Sequence, residues 1–411
     1  MGTQGQTSDL ERGERTRLGA WYTPPAIVEH VLDHTLDPLL IQRRPMTIID
    51  PACGDGNFLV GARQRLIGHG FCVLDAERCL IGIDVSDAAI SAAQARLPGA
   101  RLLRADGLTW EPDVPIHAVV GNPPFLSQLR SRTARTIPGR RYADAATLFF
   151  ERWALLMAPG GRLGFVMPLS MLATSDARSI RDKVLERCSL QHIHAHQRRE
   201  FDAAVYTMVV VVASEGPDQS GLRSRATWSH LVAAQFGTEV DAAPHSGATL
   251  ATIATATADF RDQYYGLVGA VSDEADGPPL ITSGLIGPGV CHWGARPVRF
   301  AKRRFDAPRV DLGQLNLPLQ RWAARRLVPK VLVATQSRQI HAVIDRTGQW
   351  LPSVPVITVV PNDPADLDRV ASALLDPSTT KWARSTFLGA ALAPTAIKLS
   401  AKQVLQIPLG G

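Results

Sequence analysis

Short apolar runs alternate with amphipathic segments along the first half of the chain. This alternation, between residue 46 and about residue 215, is typical of βαβ units that build a parallel sheet. The predicted strands are residues 47–50, 80–84, 101–104, 116–121, 163–167, 190–194 and 206–213. The predicted helices are residues 57–66, 87–96, 145–157 and 176–186, with Pro159-Gly160-Gly161 ending the third and turning the chain into the next strand.

The pattern loosens after residue 215, where Gly, Pro and Ser interrupt shorter apolar runs and tryptophans recur. A chain of 411 residues is long for a single core, so two domains are expected. We expect a disordered tail at residues 1–17, a first domain at 18–215, a linker at 216–245 and a second domain at 246–411.

Composition narrows the class of protein. With 45% hydrophobic and 20% charged residues the chain has the make-up of an ordinary globular protein, and no apolar run reaches the roughly 18 residues of a membrane span. No signal peptide opens it, so we expect a cytoplasmic location and no membrane partner. The five cysteines show no CxxC spacing and no HExxH motif occurs, which predicts neither disulfides nor a metal site. The net charge of +6 favours a polyanionic partner.

The strand at residues 47–50 ends in a glycine-rich turn that is typical of a ligand site. Asp50-Pro51-Ala52-Cys53-Gly54-Asp55-Gly56 leads directly into the first predicted helix, and its glycines let the backbone approach a ligand closely. Leu59 stands where a dinucleotide fingerprint has its third Gly, and Asp55 would repel a pyrophosphate. The turn therefore favours a ligand without phosphate.

Acidic residues end three successive predicted strands. Asp50 could pair with a cationic amine, Asp84 could accept both hydroxyls of a ribose, and Asp106 could accept from an adenine amino group. A single Asp at a strand end is usually a cap or a turn former. Three of them at one sheet edge favour a binding crevice.

Asn122-Pro123-Pro124-Phe125 follows the buried strand at residues 116–121. Two prolines remove two backbone donors, so the local carbonyls stay free to accept hydrogen bonds. The Asn122 amide oxygen adds an acceptor and Phe125 adds an apolar face, which together suit a planar group with an exocyclic amine. Taken alone, the segment is equally typical of a proline-rich turn.

In this order, DPACGDGNFL, IGID, RADG and GNPPF resemble motifs I to IV of S-adenosylmethionine-dependent amino methyltransferases. Residues 19–28 resemble motif X, which precedes motif I in the gamma-class DNA adenine-N6 methyltransferases of restriction-modification systems. The resemblance implies an α/β, Rossmann-like class I fold, with a mixed seven-stranded sheet, helices on both faces and a C-terminal α+β target-recognition domain.

The resemblance also implies roles for individual residues. S-adenosylmethionine would be bound by Tyr22, Thr23, Pro25, Asp50, Pro51, Ala52, Cys53, Gly54, Gly56, Asp84, Val85, Asp106, Gly107 and Asn122. The catalytic segment would be Asn122, Pro123, Pro124 and Phe125. Residues 199–207 resemble motif VIII, in which Phe201, or else Tyr206, would pack against an adenine flipped out of the duplex. Phe201 could instead be ordinary core. Thr23 could instead cap the helix that follows it.

Two basic stretches are candidates for phosphate contacts. Arg130, Arg132, Arg135, Arg140 and Arg141 follow the catalytic segment with no acid among them. Residues 296–338 hold eleven Lys or Arg against two acids, and we expect Arg299, Lys302, Arg303 and Arg304 to face DNA. The alternative for either stretch is a solvated surface.

These features predict a sequence-specific DNA adenine-N6 methyltransferase that acts on double-stranded DNA, with any restriction endonuclease on a separate chain. A ribosomal RNA adenine methyltransferase would share every catalytic motif, and Phe125, where the family more often has Tyr, keeps it open. A protein glutamine methyltransferase, a non-catalytic DNA-binding subunit and a cytosine-N4 enzyme are weaker alternatives.

Overall fold

The computed structural model describes residues 23–41, 46–125, 144–200, 205–239, 247–259, 261–391, 393 and 396–409. The chain divides into two compact units, Met1–Gln235 and Phe236–Gly411. Within the described ranges, no helix combines the length and the apolar character that crossing a bilayer requires.

The first unit is an α/β sandwich around one sheet. Its strands are β1 (Ile48–Asp50), β2 (Leu80–Asp84), β3 (Arg101–Arg104), β4 (Ile116–Gly121), β5 (Met157–Pro168), β6 (Ser189–Ala195) and β7 (Thr207–Ala213). Its helices are α1 (Pro25–Thr35), α2 (Asp37–Leu40), α3 (Asn57–Gly68), α4 (Val73–Arg78), α5 (Asp87–Arg96), α6 (Ala145–Leu156) and α7 (Ser175–Val184).

The sheet has the order β3-β2-β1-β4-β5-β7-β6. Strands β1 to β5 run parallel, and β7 pairs antiparallel with both β5 and β6. This mixed seven-stranded sheet confirms the fold that the sequence resemblance implied. Ile48 and Val120 pack with α1 and α3 on one face of the sheet. The neighbouring residues of the same strands point to the opposite face of the sheet, where α6 packs on β5.

One predicted boundary is wrong. Helix α6 ends at Leu156 and β5 begins at Met157, so Pro159-Gly160-Gly161 lies inside β5 rather than before it. The pairing register with β4 jumps there, because Met157 pairs with Ile116 while Arg162 already pairs with Ala118. The glycine-rich residues form a bulge within the strand, and Gly160 adopts a φ of 77°.

The boundary between the units falls inside the predicted linker, but part of that linker packs on the first unit. The buried Arg181 donates a hydrogen bond to the Ala226 carbonyl at 2.8 Å and lies over the Trp228 ring at 5.8 Å. Trp228 is 1% exposed, and its backbone N–H donates to the Leu172 carbonyl. Residues 226–228 therefore supply the acceptor and the apolar cover that a buried guanidinium needs.

The second unit is α+β. Its strands are β8 (Ala254–Ala258), β9 (Val271–Ser272), β10 (Leu280–Ile281), β11 (Val298–Phe300), β12 (Arg303–Phe305), β13 (Arg309–Val310), β14 (Lys330–Ala334), β15 (Gln336–Ser337), β16 (Ala342–Asp345), β17 (Leu351–Pro352), β18 (Val356–Pro361) and β19 (Ile397–Lys398). Its helices are α8 (Arg261–Leu267), α9 (Leu317–Arg326), α10 (Leu367–Leu375), α11 (Pro377–Phe387) and α12 (Ala401–Val404). The main sheet is antiparallel, in the order β16-β14-β18-β8.

Candidate functional site

The glycine-rich turn after β1 adopts a backbone that requires glycine. Gly54 and Gly56 have φ values of 54° and 86°, a region that other residues enter only at a cost. Among the described residues, no heavy atom beyond the adjoining residues lies within 4 Å of the position that a Cβ of Gly54 would take, so this side of the turn is open to them. At Gly107 a Cβ would instead lie 2.1 Å from the Pro51 carbonyl oxygen, which fixes the turn after β3 against the turn after β1.

Asp84 joins the ends of β1 and β2. Its two carboxylate oxygens accept hydrogen bonds from the Gly54 N–H at 3.0 Å and the Ser86 N–H at 2.9 Å. A carboxylate has about four lone-pair positions, so Asp84 keeps acceptor capacity for a ligand. Beside it, Val85 is 57% exposed, so an apolar side chain faces solvent next to Asp84.

Asp50 is 1% exposed, and its carboxylate accepts a hydrogen bond from the Ala52 N–H. A Cβ on Gly121 would lie 2.7 Å from Asp50 Oδ1, so the end of β4 packs closely against the end of β1. Burial raises the pKa of Asp50 to about 8, and the nearby Asp84 and Asp55 add to the increase. In the free protein at neutral pH, Asp50 is therefore held mainly in its protonated form.

Asp106 is exposed and begins a turn, in which its Oδ1 accepts from the Leu108 N–H at 2.9 Å. The carboxyl ends of β1, β2 and β3 thus bring Asp50, Asp84 and Asp106 to one edge of the sheet, as predicted from the sequence. Cys53 lies at the same edge but is buried, and burial raises the pKa of its thiol well above the usual range, so it is an inert part of the turn.

The side chain of Asp55 is not the free negative charge assumed in the sequence analysis. Arg96 donates hydrogen bonds to the Asp55 carboxylate at 3.0 Å and to its carbonyl at 2.9 Å. The two residues are 41 positions apart, so no local pattern indicated the pair. Because Arg96 pairs with Asp55, this carboxylate repels a phosphate less than its charge alone would. Leu59, which stands in place of the third glycine, still disfavours a dinucleotide.

The Asn122 carboxamide is held at one end only. Its Nδ2 donates to the hydroxyl of the buried Thr23 at 3.1 Å. Its Oδ1 is buried and has no hydrogen-bond partner among the described residues. Leaving a buried acceptor unsatisfied costs about 1–3 kcal/mol, so the arrangement suits a donor supplied by a ligand.

Thr23 does not cap the helix that follows it. Helix α1 begins at Pro25 with Pro24 at the N-cap position and no side-chain cap, and the Pro24 carbonyl accepts from the Ile27 and Val28 N–H groups. The hydroxyl of Thr23 is directed to Asn122 instead, which the sequence did not indicate. Pro25 is exposed.

The rest of the catalytic segment is partly enclosed. Pro123 is buried, Pro124 and Phe125 are half-buried, and Phe125 packs against the core cluster that includes α1 and β4. Tyr22, Phe201 and the predicted phosphate-binding residues Arg130, Arg132, Arg135, Arg140 and Arg141 lie outside the described residues.

In the second unit, β11 and β12 form a basic hairpin with Ala301 and Lys302 at its turn. Arg299 faces Arg304 across the strands, and Arg299, Lys302, Arg303 and Arg304 are all exposed. The Ala301 N–H donates to the Tyr264 hydroxyl, which anchors the turn. Two other cations of the predicted basic surface form ion pairs within the second unit. Lys330 is fully buried with Asp345, and Arg326 pairs with Asp259. The basic surface at residues 296–338 is therefore smaller than predicted.

Comparison with known proteins supports the resemblance drawn from the sequence. Residues 113–201 match the family model described as Eco57I restriction-modification methylase. The chain is 24% identical over 248 residues to the type II methyltransferase M.BstVI of Geobacillus stearothermophilus, which covers 50% of this chain and 44% of that protein. It is 26% identical over 259 residues to the type II methyltransferase M.XhoI of Xanthomonas vasicola, covering 53% of this chain and 47% of that protein. The matches thus span less than half the length of either relative.

Among solved structures, the type IIL restriction-modification enzyme MmeI in complex with DNA aligns with a TM-score of 0.59 at 13% identity. The alignment covers 95% of this chain and 68% of that one. At this identity the likeness shows a shared fold.

Proposed function

We propose that this relative of the restriction-modification methylases transfers a methyl group from S-adenosylmethionine to N6 of an adenine in duplex DNA. It would act as the gamma-class modification enzyme of a restriction-modification or related system. The matched methylase family supports the reaction class. The buried, unpartnered Oδ1 of Asn122 is the observation that carries the choice of an amino group as acceptor.

The turn at the edge of the sheet fits the cofactor. The open side of Gly54 gives room for the methionine part, and the remaining lone pairs of Asp84 suit the ribose hydroxyls. The exposed Val85 suits the face of the adenine ring, and Asp106 suits its amino group. Pro51, Ala52, Cys53, Gly56 and Gly107 shape the turn, while Tyr22, Thr23 and Pro25 would close it. When bound, S-adenosylmethionine supplies an electrophilic methyl on a sulfonium.

The hydrogen-bond acceptors of the catalytic segment suit the amino group of adenine N6. The lone pair of this nitrogen is delocalised into the ring, which makes it a poor nucleophile. Hydrogen bonds from its two N–H groups to Asn122 Oδ1 and the Pro123 carbonyl draw electron density back onto nitrogen and orient it. Thr23 fixes which end of the carboxamide faces the base. Phe125 offers an aromatic face to the positive charge that develops on the nitrogen.

An adenine in a duplex reaches this pocket only if it is flipped out of the stack. Phe201 is proposed as the second aromatic surface against the extruded base. Residues 246–411 are proposed as the target-recognition domain, in which the hairpin cations Arg299, Lys302, Arg303 and Arg304 contact phosphates. The five arginines of residues 130–141 would add phosphate contacts beside the pocket.

Label transfer tests the proposal. The full chain is incubated with methyl-labelled S-adenosylmethionine and, in parallel, with duplex DNA, ribosomal RNA and a release-factor protein. We expect label in DNA, recovered as N6-methyladenine after digestion, and its loss in Asn122→Ala. Label in RNA or protein alone, or in cytosine, would overturn the choice of acceptor. Cofactor binding without label in any substrate would favour a non-catalytic DNA-binding subunit.

A further inference from the structure

Three histidines from two distant elements converge beside the sheet of the first unit. His30 and His34 lie on α1 and His192 lies on β6, and one ring nitrogen from each falls within 4.8 Å of the others. His30 Nε2 and His192 Nε2 are 2.9 Å apart. The rings of His34 and His192 stack with their centroids at 3.6 Å. All three side chains are half-buried.

The local structure explains the convergence. Residues four apart share one face of a helix, so His30 and His34 point the same way from α1. Alternate residues share one face of a strand, so His194 follows His192 on the same side of β6. Helix α1 packs across β4, β5 and β7, and β6 is the edge strand next to β7. The helix therefore brings its histidines to the edge of the sheet.

In the part of the chain that the structure describes, the carboxylates nearest to His30 and His34 are paired with an arginine. Glu29, Asp33 and Asp37, the acids nearest along the chain, are all engaged by Arg65. Without an ion, one of the two ring nitrogens of His30 and His192 donates a hydrogen bond to the other. An ion that accepts the lone pairs of the neutral imidazoles would replace this hydrogen bond and would recruit His34 as well.

We propose that His30, His34 and His192 bind a late first-row divalent metal ion, with Zn²⁺ as the reference ion. Tetrahedral zinc with Zn–N bonds of about 2.0–2.1 Å places nitrogens about 3.4 Å apart, a spacing that lies within the 4.8 Å over which the three ring nitrogens are spread. The rings of His34 and His192 are stacked, so one of them has to rotate out of the stack for both lone pairs to point at the ion. Imidazole donors suit Zn²⁺, Ni²⁺ and Cu²⁺ rather than Mg²⁺ or Ca²⁺. His194, whose ring centroid lies 5.1 Å from that of His30, is the candidate fourth ligand.

Such an ion would clamp α1 to the edge of the sheet. Helix α1 begins two residues after Thr23, which orients Asn122, so the clamp would support the catalytic segment from outside the cofactor crevice. The sequence prediction of no metal site rested on motif spacing alone. It missed this cluster because His30 and His192 are 162 positions apart.

Metal binding to the full-length, tag-free, chelator-treated protein tests the proposal. Equilibrium dialysis with Zn²⁺ should give one high-affinity ion per chain. At about 100 times the Kd, the midpoint of thermal unfolding should rise by about 5 °C or more. His34→Gln and His192→Gln should lose both effects. His69→Gln, which changes an exposed histidine elsewhere in the same unit, should keep both.

Zinc X-ray absorption of the wild type provides a measurement that does not depend on the variants folding. Nitrogen ligands at about 2.0 Å with imidazole scattering are expected. Sulfur ligands at about 2.3 Å would instead place the ion on cysteines and overturn the assignment. So would the absence of stoichiometric binding, or equal binding by wild type and His34→Gln.

Discussion

Asn122 donates a hydrogen bond from its side-chain nitrogen to the Thr23 hydroxyl at 3.1 Å, across 99 positions of sequence. This contact joins the segment before α1 to the end of β4 and sets the orientation of the carboxamide. It leaves the carboxamide oxygen buried and unpartnered within the described residues. The acceptor is thus in place before any ligand arrives. Groups that are preorganised in this way lower the activation free energy, because they need not reorient during the reaction.

The first prediction concerns this contact. Thr23→Val removes the oxygen that accepts from Asn122, so we expect kcat to fall about 5- to 10-fold, the equivalent of one lost hydrogen bond of about 1 kcal/mol. Thr23→Ser keeps the hydroxyl and should restore most of the rate. Steady-state methyl transfer separates kcat from KM. A change confined to KM for the cofactor would assign Thr23 to cofactor binding alone.

The second prediction follows from the pKa of Asp50, which burial raises to about 8. If the amine of the cofactor pairs with ionised Asp50, binding below pH 8 releases a proton from this carboxyl group. The Kd for the cofactor should therefore fall as the pH rises from 6 to 8, by up to about tenfold per pH unit. Calorimetry in buffers of different ionisation enthalpy measures the proton release. Asp50→Asn, which keeps the side-chain shape, should bind more weakly and lose this pH dependence. An unchanged profile would remove Asp50 from the cofactor site.

Asp50 also affects folding, with a definite sign. Because its folded pKa lies above the ordinary value of 3.8, the folded state binds the proton more tightly than the unfolded state. Its contribution to the free energy of unfolding is therefore full below about pH 4 and decreases as pH rises towards 8. Denaturation of wild type and Asp50→Asn across this range should show the difference between them widening with pH.

The third prediction compares Asp84, at the end of β2, with Asp55, in the turn after β1. Asp84→Asn removes the charge that would bind the ribose hydroxyls, and since hydrogen bonds to charged groups contribute about 1.5–3 kcal/mol, the Kd for cofactor should rise by about 10- to 100-fold. Asp55→Asn is the control, because Asp55 pairs with Arg96 instead. Equal effects of the two substitutions on binding would argue against a specific role for Asp84.

The fourth prediction compares two glycines with similar backbones. Gly54 and Gly221 both have positive φ, and at neither does a described residue beyond the chain neighbours place a heavy atom within 4 Å of an added Cβ. Alanine at either position should cost about 1–2 kcal/mol of stability through backbone strain. Only Gly54→Ala should also weaken cofactor binding, because its methyl group enters the open side of the turn. Loss of binding in Gly221→Ala as well would trace the effect to strain alone.

The fifth prediction concerns the hairpin of β11 and β12. Arg299→Gln should weaken DNA binding similarly for all sequences and reduce the slope of log K against log salt by about 1. Arg346→Gln is the matched control, since the exposed Arg346 is already paired with Asp368. Fluorescence anisotropy at several salt concentrations measures both slopes. A base-dependent effect of Arg299→Gln would indicate sequence recognition rather than a phosphate contact.

Local sequence determined much of the first unit. Strands β2, β3 and β4 and helix α5 lie at the predicted residues, because each is a short apolar or helical pattern with its own end signals. Sequence order also brought Asp50, Asp84 and Asp106 to one edge, since parallel strands end on the same side of the sheet.

Tertiary structure decided which side chains meet. The contacts of Thr23 with Asn122, of Arg96 with Asp55, and of His30 with His192 each join residues far apart in the chain. Periodicity reports the face on which a side chain lies but not the partner across the gap, which packing selects. Burial, which only the tertiary structure sets, raises the pKa of Asp50. It also removes Lys330 from the predicted basic surface, because a charge in the interior requires a partner and Lys330 pairs with Asp345.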